Sequence, residues 1–434
     1  MTGIKKLAVG LLCAMVLGTM AAGCSQGSST APPENSQAAS GDGGKTSGTV
    51  EFWLDKMADQ EIINKVSTAW KNDSGIDLKI IAYPDAASFQ TAVQQSIDDP
   101  KAPGLFTWWS GSQLETLAKN DKLVDLTSEW DYYIKEGVSP DIMEAFTVDG
   151  KAYAAPYSIL YNTVLYNKTV LEKAGVTETP KTFDEFLSVL EKIKQSGVTP
   201  IGLKNDSWAS FIWFQQLVTA YDPQLYVDLS NGTKPYNDPD VKKVMKIWKD
   251  MFDKGYFAKP ILPNDMFKSF AKGEIGMMLE PNTEATSMLI QYGMEPGVTI
   301  DTFAVPSMNG DKSTIFFEAS PIAIPKATKD IDTAKAALRG FYKQETQKVM
   351  LDEQGIANTS NVEVENKTIV KILEMTEDRE NYQLFLRYYE NTPEEIRNYA
   401  IDELTRFMYS GADIDEILNN IQKKADKVWA SLNK

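Results

Sequence analysis

Three short stretches set a tryptophan beside small polar side chains: Trp53 with Asp55, Trp108 and Trp109 with Ser110, and Asn205 and Asp206 with Trp208. An indole plane packs on a flat apolar ring, and a neighbouring carboxylate, amide or hydroxyl supplies fixed donors and acceptors for a rim of hydroxyls. Such sets bind; they do not by themselves break bonds. The chain has no histidine, and its two cysteines are Cys13 and Cys24. A Ser-His-Asp triad, a Cys-His pair and an imidazole zinc site are therefore excluded. An enzyme built from this sequence would have to use carboxylates, a Ser-Lys pair or an oxygen-ligated metal. Gly43-Gly44-Lys45-Thr46 looks like the end of a phosphate-binding loop, but the spacing demands glycine at position 39, which is Ala39. No cofactor and no metal ligand set is nominated.

The elements that would position these residues follow from hydrophobic period. Thr49 to Leu54 alternates as a strand, Asp59 to Trp70 has helical spacing, and Asp77 to Ala82 reads as a second strand. A helix from Ser88 to Ile97 leads to the short apolar run Leu105 to Trp109. The same grammar returns with a helix from Phe183 to Gln195, a strand near Pro200 to Leu203, helices around Phe211 to Ala220 and Pro239 to Lys254, and a strand from Ile275 to Leu279. Repeated strand–helix units imply an α/β fold with mainly parallel sheets flanked by helices. Open parallel sheets bind ligands beyond the C-terminal ends of their strands, where Trp53–Asp55 and Trp108–Ser110 stand. Adjacent Trp108 and Trp109 point to opposite sides of a strand, so both are buried only if that strand is covered on both faces. Trp70, Trp130, Trp213, Trp248 and Trp429 are assigned to the core. The charge-rich helix from Pro393 to Phe407 is read as a solvated face.

The N-terminus carries Lys5 and Lys6, an apolar run of about 14 residues from Leu7 to Met20, and Ala21-Ala22-Gly23 before Cys24. This is a secretory signal over residues 1–23, too short for the roughly 20 residues that cross a bilayer. The small-small-Cys ending resembles the lipobox of bacterial lipoproteins, with Ala21 where Leu is usual. Residues 24–48 then form a lipidated Cys24 and a disordered Ser/Gly/Pro-rich tether. The expected location is the extracellular face of the bacterial cytoplasmic membrane, held by lipid at Cys24. A formal net charge of -16 argues against nucleic acid as a partner. The residues after the tether suffice for two cores.

Several segments resemble the extracellular solute-binding proteins of carbohydrate ABC importers, the maltose-binding-protein-like family. They are Val50–Lys56, Leu105–Gly111 with Lys122–Thr127, Asp149–Tyr157 running on to Leu165–Lys168, and Phe270–Glu280, in family order. The resemblance implies a two-lobed, class II periplasmic-binding-protein-like fold with a ligand cleft between the lobes. Residues 49–157 plus 281–319 would form the N-terminal lobe, and 158–280 plus 320–434 the C-terminal lobe. The chain would cross between lobes near Tyr157, near Glu280 and near Ala319. The ligand set carried over is Trp53, Asp55, Trp108, Trp109, Ser110, Tyr157, Asn205, Asp206, Trp208, Glu280, Asn282 and Glu318. Asn282 stands where many family members carry an aromatic, and Asp206 could equally cap a helix.

The function so implied is capture of a mono- or oligosaccharide by lobe closure and delivery to transmembrane permease subunits, by a monomer that is not an enzyme. Two alternatives stay open. The same fold could serve a non-sugar ligand, a cation such as a polyamine above all, given the carboxylates Asp55, Asp206, Glu280 and Glu318, or else a peptide. A secreted glycoside hydrolase would need a pair of carboxyls about 5–10 Å apart, and no such pair is evident.

Overall fold

The computed structural model describes residues 48–55, 57, 59–356 and 358–432. The expected signal segment, Cys24 and the tether as far as residue 47 lie outside them. The folded body is the compact unit Lys45–Lys434. Among the described residues no helix is long and apolar enough to cross a membrane.

The strand Thr49–Leu54 buries Val50, Phe52 and Leu54 and leaves Glu51 and Trp53 partly open, the period of two that its sequence carries. It pairs in parallel with Asp77–Ala82 and with Leu105–Thr107. Between them runs the helix Gln60–Ser74, started by the Asp59 carboxylate on the Glu61 and Ile62 amides and stopped by Gly75 in the left-handed region. One nine-stranded sheet continues from this edge through Ser313–Ala323, Ala154–Asn167, Ile275–Pro281 and Thr199–Ile201. Tyr382–Leu386 lies alongside Ser313–Phe317, and Ile300–Phe303 alongside Val164–Asn167. Helices cover the faces, so the α/β class stands. Pairing is parallel at both ends of the sheet and antiparallel in the middle, because the long strands 154–167 and 313–323 run in opposite directions.

Two main cores divide the body into lobes. The first gathers Val50, Trp70, Leu105, Trp130, Ile159 and Tyr161. The second gathers Val164, Phe186, Trp213, Trp248, Leu404 and Ile417, with a smaller cluster around Leu165, Phe270 and Met278 on the other side of the same strand. The strand 154–167 thus changes lobes between Tyr161 and Val164.

The lobe boundaries differ from those expected. Residues 281–303 stay with the second lobe, where Leu289 and Ile300 pack with Leu165 and Ile300–Phe303 pairs with the same strand. Residues 320–375 belong to the first: Ala334, Leu338 and Phe341 join the core of Trp70, whose indole N–H donates to the Ala337 carbonyl at 2.6 Å. The reason is that strand 313–323 carries the chain back into the first lobe, where the helices Ile331–Phe341 and Gln344–Gln354 cover Gln60–Ser74. The return passage lies at 382–391, with Leu384 and Leu386 on the first core and Tyr388 in the second. No crossing occurs at Glu280, which pairs with Thr163 and leads into the helix Asn282–Gln291. Trp70, Trp130, Trp213 and Trp248 are buried and Trp429 packs against the second core, as expected.

Candidate functional site

A cavity of about 340 Å³ opens where the two long strands run side by side. That volume is at the low end of small-molecule sites, roughly 300–1,000 Å³. Its floor is made by the cross-strand pairs Leu160–Glu318 and Ser158–Ser320. One wall is Met57, Asp59 and Ile62, just past the C-terminal end of strand 49–54, where an open sheet offers its loops to ligands. The other is Gln354, the last residue of the helix capped by Gly355 at φ 68°, and Ile356 just after it. Tyr157 closes the back. Its hydroxyl donates to Gln354 Oε1 at 3.3 Å, its ring stacks on Phe341, and burial pushes its phenol well above the ordinary range.

Glu318 ties this floor to the second lobe. One oxygen accepts from Arg387 Nη2 at 2.8 Å and the other from Ser320 Oγ at 3.3 Å. Arg387 is itself buried, and it grips Glu390 through Nε at 3.0 Å and Nη2 at 2.6 Å. Burial raises the Glu390 carboxyl above its usual range against the pull of that guanidinium. The same guanidinium lies 5.2 Å from the ring of Trp208, which stacks on Tyr389 at 5.0 Å and 27°. Trp208 nevertheless keeps 39% of its surface open. The helix that it starts, Trp208–Tyr221, is held by Asp206 Oδ1 accepting the Trp208 and Ala209 amides at 3.0 and 3.3 Å. Lys204 reaches back to Asp206 at 3.7 Å and to the buried Glu280 at 2.7 Å.

On the first lobe the aromatic residues form a continuous cluster. Trp53 packs on Tyr83, Tyr83 on Phe89, and Phe89 on both Trp108 and Trp109. Of the adjacent pair, Trp108 is 3% exposed and belongs to the core, whereas Trp109 stays partly open. The Trp53 indole N–H is engaged by Glu51, whose carboxyl is held below the usual range chiefly by its hydrogen bond to Lys79. Thr107 donates to Asp55 at 3.4 Å, and Ser110 is buried at the first turn before the helix Ser112–Lys119. There the lobes meet: a Cβ on Gly111 would stand 1.8 Å from the carbonyl oxygen of Glu390.

Of the twelve residues nominated from sequence, Tyr157 and Glu318 line the cavity. Trp208 joins it through Arg387 and Glu318. Asp206 and Glu280 meet at Lys204, and Asn205 is exposed beside them. Asn282 is fully buried, bonds through Nδ2 to Thr163 Oγ1, and lies away from the cavity lining. Arg387, Lys204, Gln354 and Ser158 were not foreseen. Only the Gln354-Gly355 helix end left a sequence signal, a glycine suited to the left-handed cap. The helix 394–410 is also less solvated than expected: Arg397 is buried, with its guanidinium 3.9 Å from the Tyr389 ring and Nη1 donating to the Tyr389 carbonyl.

A family model described as bacterial extracellular solute-binding protein matches residues 65–372. The chain is 25% identical over 333 residues to an uncharacterized ABC transporter extracellular-binding protein of Pyrococcus horikoshii, covering 68% of this chain and 71% of that one. It is 27% identical over 257 residues to the diacetylchitobiose binding protein of Streptomyces coelicolor, a stretch that spans 58% of this chain and 59% of the relative, less than two thirds of its length. Among solved structures, the solute receptor AcbH, described as preferring β-D-galactopyranose, superposes with a TM-score of 0.72 over 88% of this chain and 99% of its own, at 17% identity.

Proposed function

Because the chain belongs to the bacterial extracellular solute-binding proteins, we propose that it captures a neutral saccharide between its two lobes and delivers it to the permease of an ABC importer. The observation that carries this reading is the state of the carboxylates around the cleft. Glu318 is paired with Arg387, Glu280 and Asp206 with Lys204, and Asp59 caps a helix. A polyamine or other cation would have to compete with the salt bridges of Glu318 and Glu280 and with the helix-cap bonds of Asp206 and Asp59 for these carboxylates. The serine hydroxyls, the Gln354 amide and the aliphatic side chains of Met57, Ile62, Leu160 and Ile356 instead suit hydroxyls and an apolar ring face.

Lobe closure supplies the transport signal. Contacts from both lobes coexist only in the closed form, so a ligand shifts the population toward it by its differential affinity. The ligand contacts are Glu318, Tyr157, Trp109 and Trp208, with Asp55, Trp53, Ser110, Asn205 and Asp206 at the rim. The chain is read as a monomer without catalytic activity, exported and held to the outer face of the cytoplasmic membrane through lipid on Cys24.

Calorimetric titration of the purified protein with galactose, cellobiose, diacetylchitobiose, raffinose and spermidine tests the ligand class. Saturable one-to-one binding of a saccharide, with no reducing sugar released, is the expected result. Binding of spermidine alone would overturn the saccharide reading, and turnover would overturn the binding-protein reading.

A further inference from the structure

Asn162 lies on strand 154–167, one residue after Tyr161 and at the passage between the lobes. It is 1% exposed, and among the described residues neither its Oδ1 nor its Nδ2 has a hydrogen-bond partner. Its neighbours explain why. Its cross-strand partners are Phe316 on one side and Pro281 on the other, and the adjacent residues on its own face are Leu160 and Val164. None of these side chains can donate or accept. An asparagine therefore occupies a position whose direct cross-strand and same-strand neighbours are apolar, with Glu318 diagonally across on the same face and not bonded to it. A buried amide without partners costs stability, so its presence points to a use other than folding.

Alternation along the strand identifies the use. Residues 158, 160 and 162 share one face, and Ser158 and Leu160 form the cavity floor with Glu318 and Ser320. Asn162 is the next residue on that face after Leu160, one step toward the second lobe and itself buried just outside the residues that line the cavity. A carboxamide presents one acceptor and one pair of donors side by side.

We propose that Asn162 is a specificity-determining ligand contact, whose carboxamide reads a group on the saccharide that offers a hydrogen-bond donor and acceptor together. This rests on the saccharide reading given above. Two sugar groups have that chemistry, a vicinal diol and an acetamido group, and a matched pair of disaccharides separates them. Cellobiose and diacetylchitobiose share their linkage and differ in hydroxyl against acetamido at each ring.

The test is titration of wild type, Asn162→Leu and Asn162→Ala with galactose, cellobiose, diacetylchitobiose and raffinose, together with ligand-free thermal melts. For whichever probe the wild type binds, both variants should weaken affinity by roughly thirtyfold or more, while the ligand-free melting temperature of Asn162→Leu stays level or rises. A wild-type preference for diacetylchitobiose that collapses in the variants assigns the acetamido group. A preference for cellobiose, galactose or raffinose that collapses assigns the diol. Affinities unchanged in both variants would overturn the assignment of Asn162 and leave the saccharide reading intact. Wild type binding none of the four would remove the saccharide reading, and this inference with it.

Discussion

Arg387 and Glu318 stand 2.8 Å apart, the arginine on the passage into the second lobe and the glutamate on the cavity floor. The guanidinium also holds Glu390, so one cation serves two carboxylates from different segments. Replacing Arg387 by Met should cost about 3–5 kcal/mol, because it leaves the buried Glu390 and the partly buried Glu318 without a counter-charge. Chemical denaturation checks this. The triple variant R387M/E318Q/E390Q should recover most of the loss. If it does not, packing of the arginine on Trp208 matters more than its charge.

Trp108 and Trp109 are neighbours with different fates. Trp108→Ala should destabilise the protein by about 3–5 kcal/mol, the cost of emptying a core position. Trp109→Ala should leave the melting temperature within a few degrees and weaken saccharide affinity by about tenfold or more. Equal effects of the two variants on affinity would mean that the open ring of Trp109 is not a ligand platform.

Gly111 has φ +69° and no room for a side chain against the Glu390 carbonyl. Gly111→Ala should therefore strain its own backbone and push the Glu390 segment away from the first lobe. Ligand affinity should fall, and small-angle scattering should show that saturating ligand no longer compacts the variant. Full compaction with unchanged affinity would show that the lobes do not meet at Gly111 when ligand binds.

Asp330 starts the helix Ile331–Phe341 by accepting from the Thr333 amide at 2.9 Å and hydroxyl at 2.6 Å. The hydroxyl bond, then the amide bond, holds its carboxyl below the usual aspartate range. A depressed folded-state pKa gives stability that is present above the unfolded-state value and lost as pH falls through the folded one. Asp330→Asn keeps an acceptor at the cap but does not titrate. Thermal melts from neutral pH down through the usual aspartate range should show a shallower acid loss in the variant. Parallel curves would refute this.

Much of the secondary structure was legible because its causes are local. Thr49–Leu54 and Asp77–Ala82 carry the strand period, and Phe183–Gln195 carries the helical one with Thr182 as its cap. The aromatic and polar pairs were visible as candidates for the same reason. Their partners were not. Glu318 could be read only as a carboxylate, because Arg387 reaches it across a fold-back and nothing near either residue in the chain announces the other. Asp206 had two readings of equal merit until its carboxylate was found on the Trp208 and Ala209 amides. Trp108 and Trp109 could be told apart only once Phe89 and Phe106 had closed around Trp108.

The sequence by itself determined the export signal as an expectation, the exclusion of histidine and cysteine chemistry, the elements of the α/β lobes and a set of side chains suited to a hydroxylated ring. Tertiary structure decided which lobe owns residues 281–303 and 320–375, which tryptophan stays open, which carboxylates are neutralised, and that Asn162 stands among apolar neighbours. The physical reason is range. Backbone preference and hydrophobic period act over a few residues, whereas charge pairing, burial and cavity shape depend on segments that meet only after strands 154–167 and 313–323 have paired.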